Sequence, residues 1–553
     1  MLRPGAPAHI NVRRLDEQHW TFADLARGGM SIRTLSGPKA MKDAGERGPK
    51  TSSATQERVY DDGSMLDWQT CSRARLSRDA RFDGKFFIGV RTSGVYCRSI
   101  CPAPTAKEKN VRYFPTAAAA AEAGFRPCLR CRPECSPGTP AWLGTPNTVS
   151  RALRLLNESG MEDGGVEALA ERLGIGSRHL RRLFLQHLGA SPRTVSQTRR
   201  MHFAKKLIDE TKLPMTQIAL AAGFGCVRRF NAGIRKTFHR TPSQIRATAR
   251  HADQQLENEY VFRLRYRPPY HWCAMLSFLR ARATPGVELI DGNRYLRSFI
   301  VNNHPGKFEI THQEEQQSLV ARVLFADPCA LHGVIERIKT MFDLNADWMV
   351  IASHLRNDPV MASLMERCPG LRVPGCWDGF ELGVRAIVGQ QISVAAATSM
   401  MGKLVQHLGR PLENTNGATH LFPTAEAFAT ARDHQLRMPK KRADAIRALA
   451  RAVCEGKIRF DKVINIEEFC QQLQTIPGIG NWTAQYIAMR ALGEPDAFPS
   501  GDLGLLRRLG LRSAKELERR AEPWKPWRAY ATMYLWECPG TPSEFELRHE
   551  HKR

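Results

Sequence analysis

The sequence predicts a multidomain α+β chain: a small cysteine-rich domain, an all-α domain built on a duplicated two-helix unit, a small α+β domain and a larger all-α domain. Three observations carry this. The 553 residues suffice for about three to five domains at roughly 100 to 200 residues each. Five cysteines crowd between Cys97 and Cys135, and a helical pattern downstream repeats itself. Beyond the repeat, alternating strands give way to a run of amphipathic helices. Hydrophobic residues at 42% and charged residues at 25% are the balance of a chain that buries a core, which excludes a disordered polymer.

Charge narrows the partner. Lys plus Arg number 81 against 55 Asp plus Glu, a net +26, and such an excess draws a polyanion, nucleic acid first. A membrane is not expected, because no run of 18 apolar residues occurs and mean hydropathy is −0.38. The opening MLRPGAPAHINVRRLDEQHW has no apolar signal stretch, so a reducing, cytoplasmic location is expected. Fourteen cysteines then mean thiol or metal chemistry rather than disulfides. No Walker-type phosphate loop is present, which argues against ATP-driven chemistry.

In chain order, residues 1–65 are rich in Gly, Pro, Ser and basic residues and read as a disordered tail without assigned function. The cysteine domain spans 66–137 and runs into CSPGTPAWLGTP, a linker candidate. A basic helical domain follows at 145–250. After the polar run HADQQLENE, the segments VFRLRYRPPYHW, YLRSFIV and KFEITH alternate as strands do, placing an α+β domain at 258–372. Helices dominate the last domain, 373–545.

Cys97 and Cys101 form one close pair, Cys128 and Cys131 a second, and two pairs of thiols suit tetrahedral zinc. A structural clip and a reactive site are both open on spacing alone. Arg98, Arg126, Arg130 and Arg132 surround the cluster as candidate phosphate contacts or a solvated basic face, and Cys71 and Cys135 stand outside the pattern. The run FFIGVRTSGVYCRSICPAPTAKEKNVRYF with AGFRPCLRCRPE resembles the metal-binding domain of the Ada type. That resemblance implies one zinc ion held by Cys97, Cys101, Cys128 and Cys131, with Cys97 accepting a methyl group from a DNA methylphosphotriester. The chemistry is coherent, since zinc keeps a thiol deprotonated and the thiolate is the nucleophile. Methylation lowers the negative charge facing DNA, so repair becomes a binding switch.

VEALAERLGIGSRHLRRLFLQHLGASP reads as helix, turn and helix, with Ser177 as the cap candidate, and MTQIALAAGFGCVRRFNAGIRKTFHRTP repeats the plan. Leu169, Ala170, Leu173 and Gly174 recur 49 residues on as Ile218, Ala219, Ala222 and Gly223. A plain helical bundle would not need this periodicity. The stretch resembles the AraC-type double helix-turn-helix domain, whose two recognition helices enter successive major-groove segments. By position Arg178, His179, Arg181 and Arg182, then Val227, Arg228, Arg229 and Asn231, face DNA, while Leu180, Phe184, Phe230 and Phe238 are core.

LQTIPGIGNWTAQYIAMRAL joins two helices through Gly478 and Gly480, a hairpin whose backbone N–H groups can meet a phosphate, or simply a tight turn between helices. Asp502 follows at the expected start of a helix, where most aspartates are caps. Hairpin, Gly/Pro-rich loop and Asp together resemble the HhH-GPD glycosylases. With YRPPYHW, RVPGCWDGFELGVRAIVGQQISVAAA, MPKKRADAI and WKPWRAYATMYLW, the C-terminal half resembles the AlkA-type 3-methyladenine DNA glycosylase II.

That resemblance implies Asp502 as the catalytic carboxylate and Trp482, Tyr486 and Trp536 as a base pocket that favours cationic alkylated bases by stacking and cation–π attraction. Trp482 stands where strand-cutting relatives carry a lysine, so base release without strand cleavage is expected. Gln391 replaces the leucine wedge of the type, and the carbonyls of Gln474, Ile476 and Ile479 are a candidate monovalent-cation site. No Pro-Cys-His-Arg acceptor motif occurs, so O6-methylguanine reversal is not expected. The implied whole is a repair enzyme and regulator in one nucleoid-associated chain, a monomer whose partners are alkylated DNA, promoter DNA and RNA polymerase. The competing reading is a zinc-dependent transcription factor whose glycosylase-like half only docks on DNA.

Overall fold

In the computed structural model of the protein, residues 66–138, 147–158, 165–248, 258–413, 417–460 and 465–538 are described. They all fall within one unit, Arg58–Arg553. The tail expected at 1–65, most of the HADQQLENE run and residues 139–146 of the linker candidate lie outside them. The multidomain α+β class is confirmed.

The cysteine domain is built on a four-stranded sheet of β1 (Phe87–Val90), β2 (Val95–Cys97), β3 (Val111–Phe114) and β4 (Arg126–Pro127), in the order β3-β1-β2-β4. β1 runs antiparallel to β2 and β3, and β4 pairs parallel with β2. Gly89 is required in β1, because a Cβ there would sit 2.6 Å from the Phe114 ring. The sheet brings Cys97, at the end of β2, beside the Cys128 and Cys131 loop that leaves β4.

Two helix pairs form the repeat: Gly165–Arg172 with Ser177–Leu188, and Met215–Ala221 with Val227–Phe238. The 19-residue helix Pro192–Glu210 separates them. It starts at Ser191-Pro192 just as Pro192's counterpart Pro242 starts the last helix after Thr241, each hydroxyl accepting the N–H three residues on. Leu180, Phe184, Phe230 and Phe238 are core as expected, at most 1% exposed. Ser177 is not the cap: Gly176 holds that position without a side-chain bond, and Ser177 is the first helical residue.

The α+β domain carries a five-stranded antiparallel sheet of β5 (Glu259–Arg265), β6 (Glu288–Asp291), β7 (Arg294–Val301), β8 (His304–Gln313) and β9 (Ser318–Phe325), ordered β5-β9-β8-β7-β6. Alternation along the strands puts Tyr260, Phe262, Leu264, Phe308, Ile310, Leu319, Ala321 and Val323 inside. The helices Trp348–Leu355 and Pro359–Arg367 reach the helical domain, where Trp348 Nε1 donates to the Tyr534 hydroxyl at 2.7 Å.

The start of the linker candidate is docked rather than free. Gly138 N donates to Asn345 Oδ1 at 3.1 Å, and buried Arg267 donates to the carbonyls of Asp83 and Asn345 at 2.9 Å each. Lys85 pairs with buried Asp347 at 2.6 Å. These bonds seat the cysteine domain on the α+β domain. Tyr96 and His202 tie it to the Pro192–Glu210 helix at 2.7 Å.

Candidate functional site

Three residues on one face of the helix Asn481–Ala491 line up at intervals of four: Trp482, Tyr486 and Arg490. The Trp482 and Tyr486 rings stack at 5.3 Å and 8°, and Trp536, from the helix Arg528–Glu537, closes on Tyr486 at 6.3 Å. Asp502 caps the helix Leu503–Arg508 by accepting the Leu505 N–H at 2.9 Å. Its carboxylate also accepts Trp482 Nε1 at 3.0 Å and Trp536 Nε1 at 3.3 Å. The expected pocket residues are therefore brought together, with Trp482, Trp536 and Asp502 half-exposed and Tyr486 buried. A Cβ on Gly504 would lie 3.0 Å from Asp502 Oδ1, a tight contact that would press on the carboxylate.

Arg490 donates to the Tyr486 hydroxyl at 2.7 Å and to the carbonyls of Pro374 and Gly375 at 2.8 and 3.0 Å. Burial alone would push the Tyr486 phenol up, but Arg490, Arg282 and Arg385 outweigh it and hold it below its ordinary value. Arg490 falls within the motif LQTIPGIGNWTAQYIAMRAL, where sequence alone assigns it no role. Its place one helical turn past Tyr486 was the available signal.

The hairpin turn lies between Ile466–Gln474 and Asn481–Ala491, with Gly478 and Gly480 exposed and Ile476 and Ile479 buried. Gly478 has φ +91°, and a Cβ there would sit 3.1 Å from that of Ala445. Gln390 donates to the Gly478 carbonyl at 2.8 Å and to Thr483 Oγ1 at 3.1 Å, and Arg442 donates to the Gln390 carbonyl at 2.7 Å. Next to this clamp, Gln391 is exposed with φ +58°. Among the cation candidates, the Ile476 carbonyl already accepts the Ile479 N–H at 3.0 Å.

The ligand sulfurs of Cys97, Cys101, Cys128 and Cys131 all lie within 4.8 Å of one another. Tetrahedral zinc with Zn–S of about 2.3 Å needs sulfurs about 3.8 Å apart, so the group fits the metal. Cys97 is 7% exposed and Cys101 is the more open of that pair. Cys71 and Cys135 are outside the group.

One of the surrounding arginines turns inward, contrary to a role as a phosphate contact or a solvated face, and a second is half-exposed while paired with carboxylates. Arg98 is buried, ion-paired with Asp83 and bonded to the Cys131 carbonyl at 2.9 Å. Arg132 pairs with Glu134, Asp209 and Glu210. Buried carboxylates capture guanidinium groups that the sequence leaves looking free. Arg130 is exposed and Arg126 half-exposed.

On the two recognition helices, Arg178, His179, Arg181, Arg182, Arg228 and Arg229 are exposed, and Val227 and Asn231 half-exposed. Arg181 meets Glu167 at 2.7 Å, an exposed pair that a phosphate can break at little cost.

Known proteins agree with this layout. Four family models match in succession: metal binding domain of Ada at 70–134, helix-turn-helix domain at 169–248, AlkA N-terminal domain at 261–378, and HhH-GPD superfamily base excision DNA repair protein at 384–528. A probable bifunctional transcriptional activator/DNA repair enzyme AlkA from Mycobacterium tuberculosis is 38% identical over 479 residues, covering 85% of this chain and 96% of that protein. DNA-3-methyladenine glycosylase 2 of Escherichia coli is 34% identical over 283 residues, 51% of this chain and 98% of the relative. The solved 3-methyladenine DNA-glycosylase from Archaeoglobus fulgidus aligns with a TM-score of 0.45 at 22% identity, over 50% of this chain and 97% of the other. The chain therefore belongs to the family of AlkA-type bifunctional transcriptional activators and DNA repair enzymes.

Proposed function

We propose that this chain repairs alkylated DNA at two centres and regulates transcription through one of them. The observation that carries the glycosylase half is the convergence of two indole N–H groups and an aromatic wall on Asp502. A helix cap needs none of these. In the reaction the bond from C1′ to the base nitrogen breaks, its electron pair leaves with the base, and positive charge grows on the sugar. The Asp502 carboxylate stabilises that charge, water bonds to C1′, and its proton passes to Asp502. Trp482 and Trp536 orient the carboxylate and, with Tyr486, stack against a flipped base such as 3-methyladenine or 7-methylguanine. No lysine stands at position 482, so the strand stays uncut.

At the second centre the Cys97 sulfur attacks the methyl carbon of a methylphosphotriester. An S–C bond forms, a C–O bond breaks, and the electron pair returns to the phosphate as a diester. Bound zinc keeps the cysteine deprotonated at neutral pH. The methylated form then holds promoter DNA through the two recognition helices, with Arg178, Arg181, Arg182, Arg228 and Arg229 toward the duplex. Two such helices in one chain supply what a dimer otherwise provides, which supports a monomer presenting promoters to RNA polymerase. Gly478 and Gly480 hold the damaged strand's phosphate at the glycosylase, and the carbonyls of Gln474, Ile476 and Ile479 are the place for a monovalent cation there.

The test is release of free base from alkylated duplex by the purified chain, with the strand left intact, and one added methyl on the protein after exposure to methylphosphotriester DNA. Zinc-dependent promoter binding with no base release would return the chain to the transcription-factor reading, which the indole bonds to Asp502 disfavour.

A further inference from the structure

Resting on the glycosylase reading and on zinc at the four cysteines, we infer that Arg267 makes base release depend on a folded cysteine domain. Four arginines, Arg98, Arg267, Arg372 and Arg490, are each at most 4% exposed. Burying a guanidinium is costly unless its donors are filled. These four bond across segments distant in sequence, and together their bonds run from the cysteine cluster to the base pocket.

Arg98, next to Cys97, donates through its backbone N–H to Cys131 Sγ at 3.4 Å, and its Nε donates to Asp83 at 2.7 Å. The Asp83 carbonyl accepts Arg267 Nε at 2.9 Å, and the Pro137 and Gly138 carbonyls accept Arg267 Nη2 at 3.4 and 2.5 Å. With Asn345, four carbonyls hold this guanidinium, and three of them come from the cysteine domain and the docked start of the linker. The Arg267 carbonyl in turn accepts Arg372 Nη2 at 2.7 Å. Just beyond Arg372, Pro374 and Gly375 present the carbonyls that hold Arg490 while it donates to Tyr486. The joint is close-fitting: Gly84 lies at φ +74°, and a Cβ there would overlap the Pro137 carbonyl.

The two-state element is the cysteine domain itself, whose folding and zinc binding are one quantity. When it unfolds, Arg267 exchanges three fixed carbonyls for water, and buried Asp347 loses Lys85. The segment 372–375 keeps its inner contacts but loses its outer support, so Arg490 holds Tyr486 less firmly for stacking. A glycosylase joined to the cysteine domain by a free linker would be indifferent to zinc.

The test strips zinc from the full chain with a chelator, verifies the loss by metal analysis, and follows hydrogen exchange at residues 371–376 beside base release from alkylated duplex. Exchange there should quicken while β7 and β8 stay protected, and base release should fall about fivefold, the scale of a modest coupling between sites. Arg267→Met keeps the bulk without the donors: exchange should already be fast with zinc bound, and chelation should change base release by a factor of about one. Gly84→Ala, far from the pocket in sequence and in a different domain, should also quicken exchange at 371–376 with zinc in place. Base release unchanged in the zinc-free parent, or a full response to chelation in Arg267→Met, overturns the inference while the glycosylase reading stands. Absence of base release by the zinc-loaded parent overturns both.

Discussion

The indole N–H of Trp482 reaches the carboxylate of Asp502 at 3.0 Å, although the two residues stand 20 positions apart and start different helices. The same carboxylate caps Leu505 and accepts from Trp536. In the proposed reaction one side chain does two jobs, and they are separable by chemistry: a cap needs an oxygen acceptor, whereas an oxocarbenium ion needs a negative charge.

Asp502→Asn separates them. Asparagine caps as well as aspartate, so thermal stability should stay within about 1 kcal/mol. Release of 3-methyladenine should fall by about a hundredfold to a thousandfold, the scale of losing one preorganised stabilising group. DNA affinity should hold or rise, because a charge facing phosphate is gone. Base release by the variant at the parent rate would reduce Asp502 to a cap.

What the sequence made legible follows from how chemistry constrains spacing. Zinc ligands need two close thiol pairs, and Cys97, Cys101, Cys128 and Cys131 display them; a repeat announces itself through Leu169 and Ile218. Asp502 was legible through the hairpin before it. Arg98 was not, because its turn inward depends on Asp83, 15 residues back, a pairing set by the fold that no local pattern encodes. Gln390 and Arg442 were invisible for the same reason: 52 residues separate two partners of one clamp.

Arg490 should tune the pocket from behind. Arg490→Lys loses the forked contact to Tyr486, Pro374 and Gly375, and the phenol should then titrate at higher pH. The tyrosinate difference spectrum against Tyr486→Phe reads this directly. Base release should weaken by about tenfold, chiefly in KM. An unmoved tyrosinate titration would show that Arg490 only braces the Pro374–Gly375 loop.

His202 predicts acid sensitivity at the joint between the cysteine domain and the long helix. Burial drives its imidazole down to about 4, opposed by Glu134 and reinforced by Lys205. A depressed folded value means that this contribution is present above about pH 6.5 and is lost as pH falls toward 4. The full effect is on the order of 3 kcal/mol. Glu381, raised to about 7 by burial, and Asp343, raised to about 6 by burial, act oppositely and gain on acidification. The comparison is therefore between proteins: the drop in Tm from pH 7 to pH 5 should be smaller in His202→Gln, which keeps a partner for the Tyr96 hydroxyl. Equal drops would remove His202 from the account.

The cysteine cluster should carry one zinc per chain. Cys101→Ala, Cys128→Ala or Cys131→Ala should lose it and raise hydrogen exchange across residues 67–137, because binding energy and local folding are one quantity in such a site. Purified protein without stoichiometric zinc contradicts the cluster reading.

Methylation at Cys97 should strengthen promoter binding. Four thiolates around Zn²⁺ sum formally to −2, and a neutral thioether in place of one leaves −1. At an effective dielectric near 20, one charge about 5 Å from a phosphate is worth on the order of 3 kcal/mol, and roughly a third of that survives salt. The expected gain is several-fold to tenfold at fixed ionic strength. The buried pair Arg98–Asp83 beside the site keeps its neighbouring charge constant, so the change should come from sulfur alone. Peptide mass spectrometry locates the methyl, and Cys97→Ala should accept none. Cys101 is the internal control, since it is the more exposed of the pair: a methyl found there, or promoter affinity unchanged after Cys97 is methylated, refutes the switch.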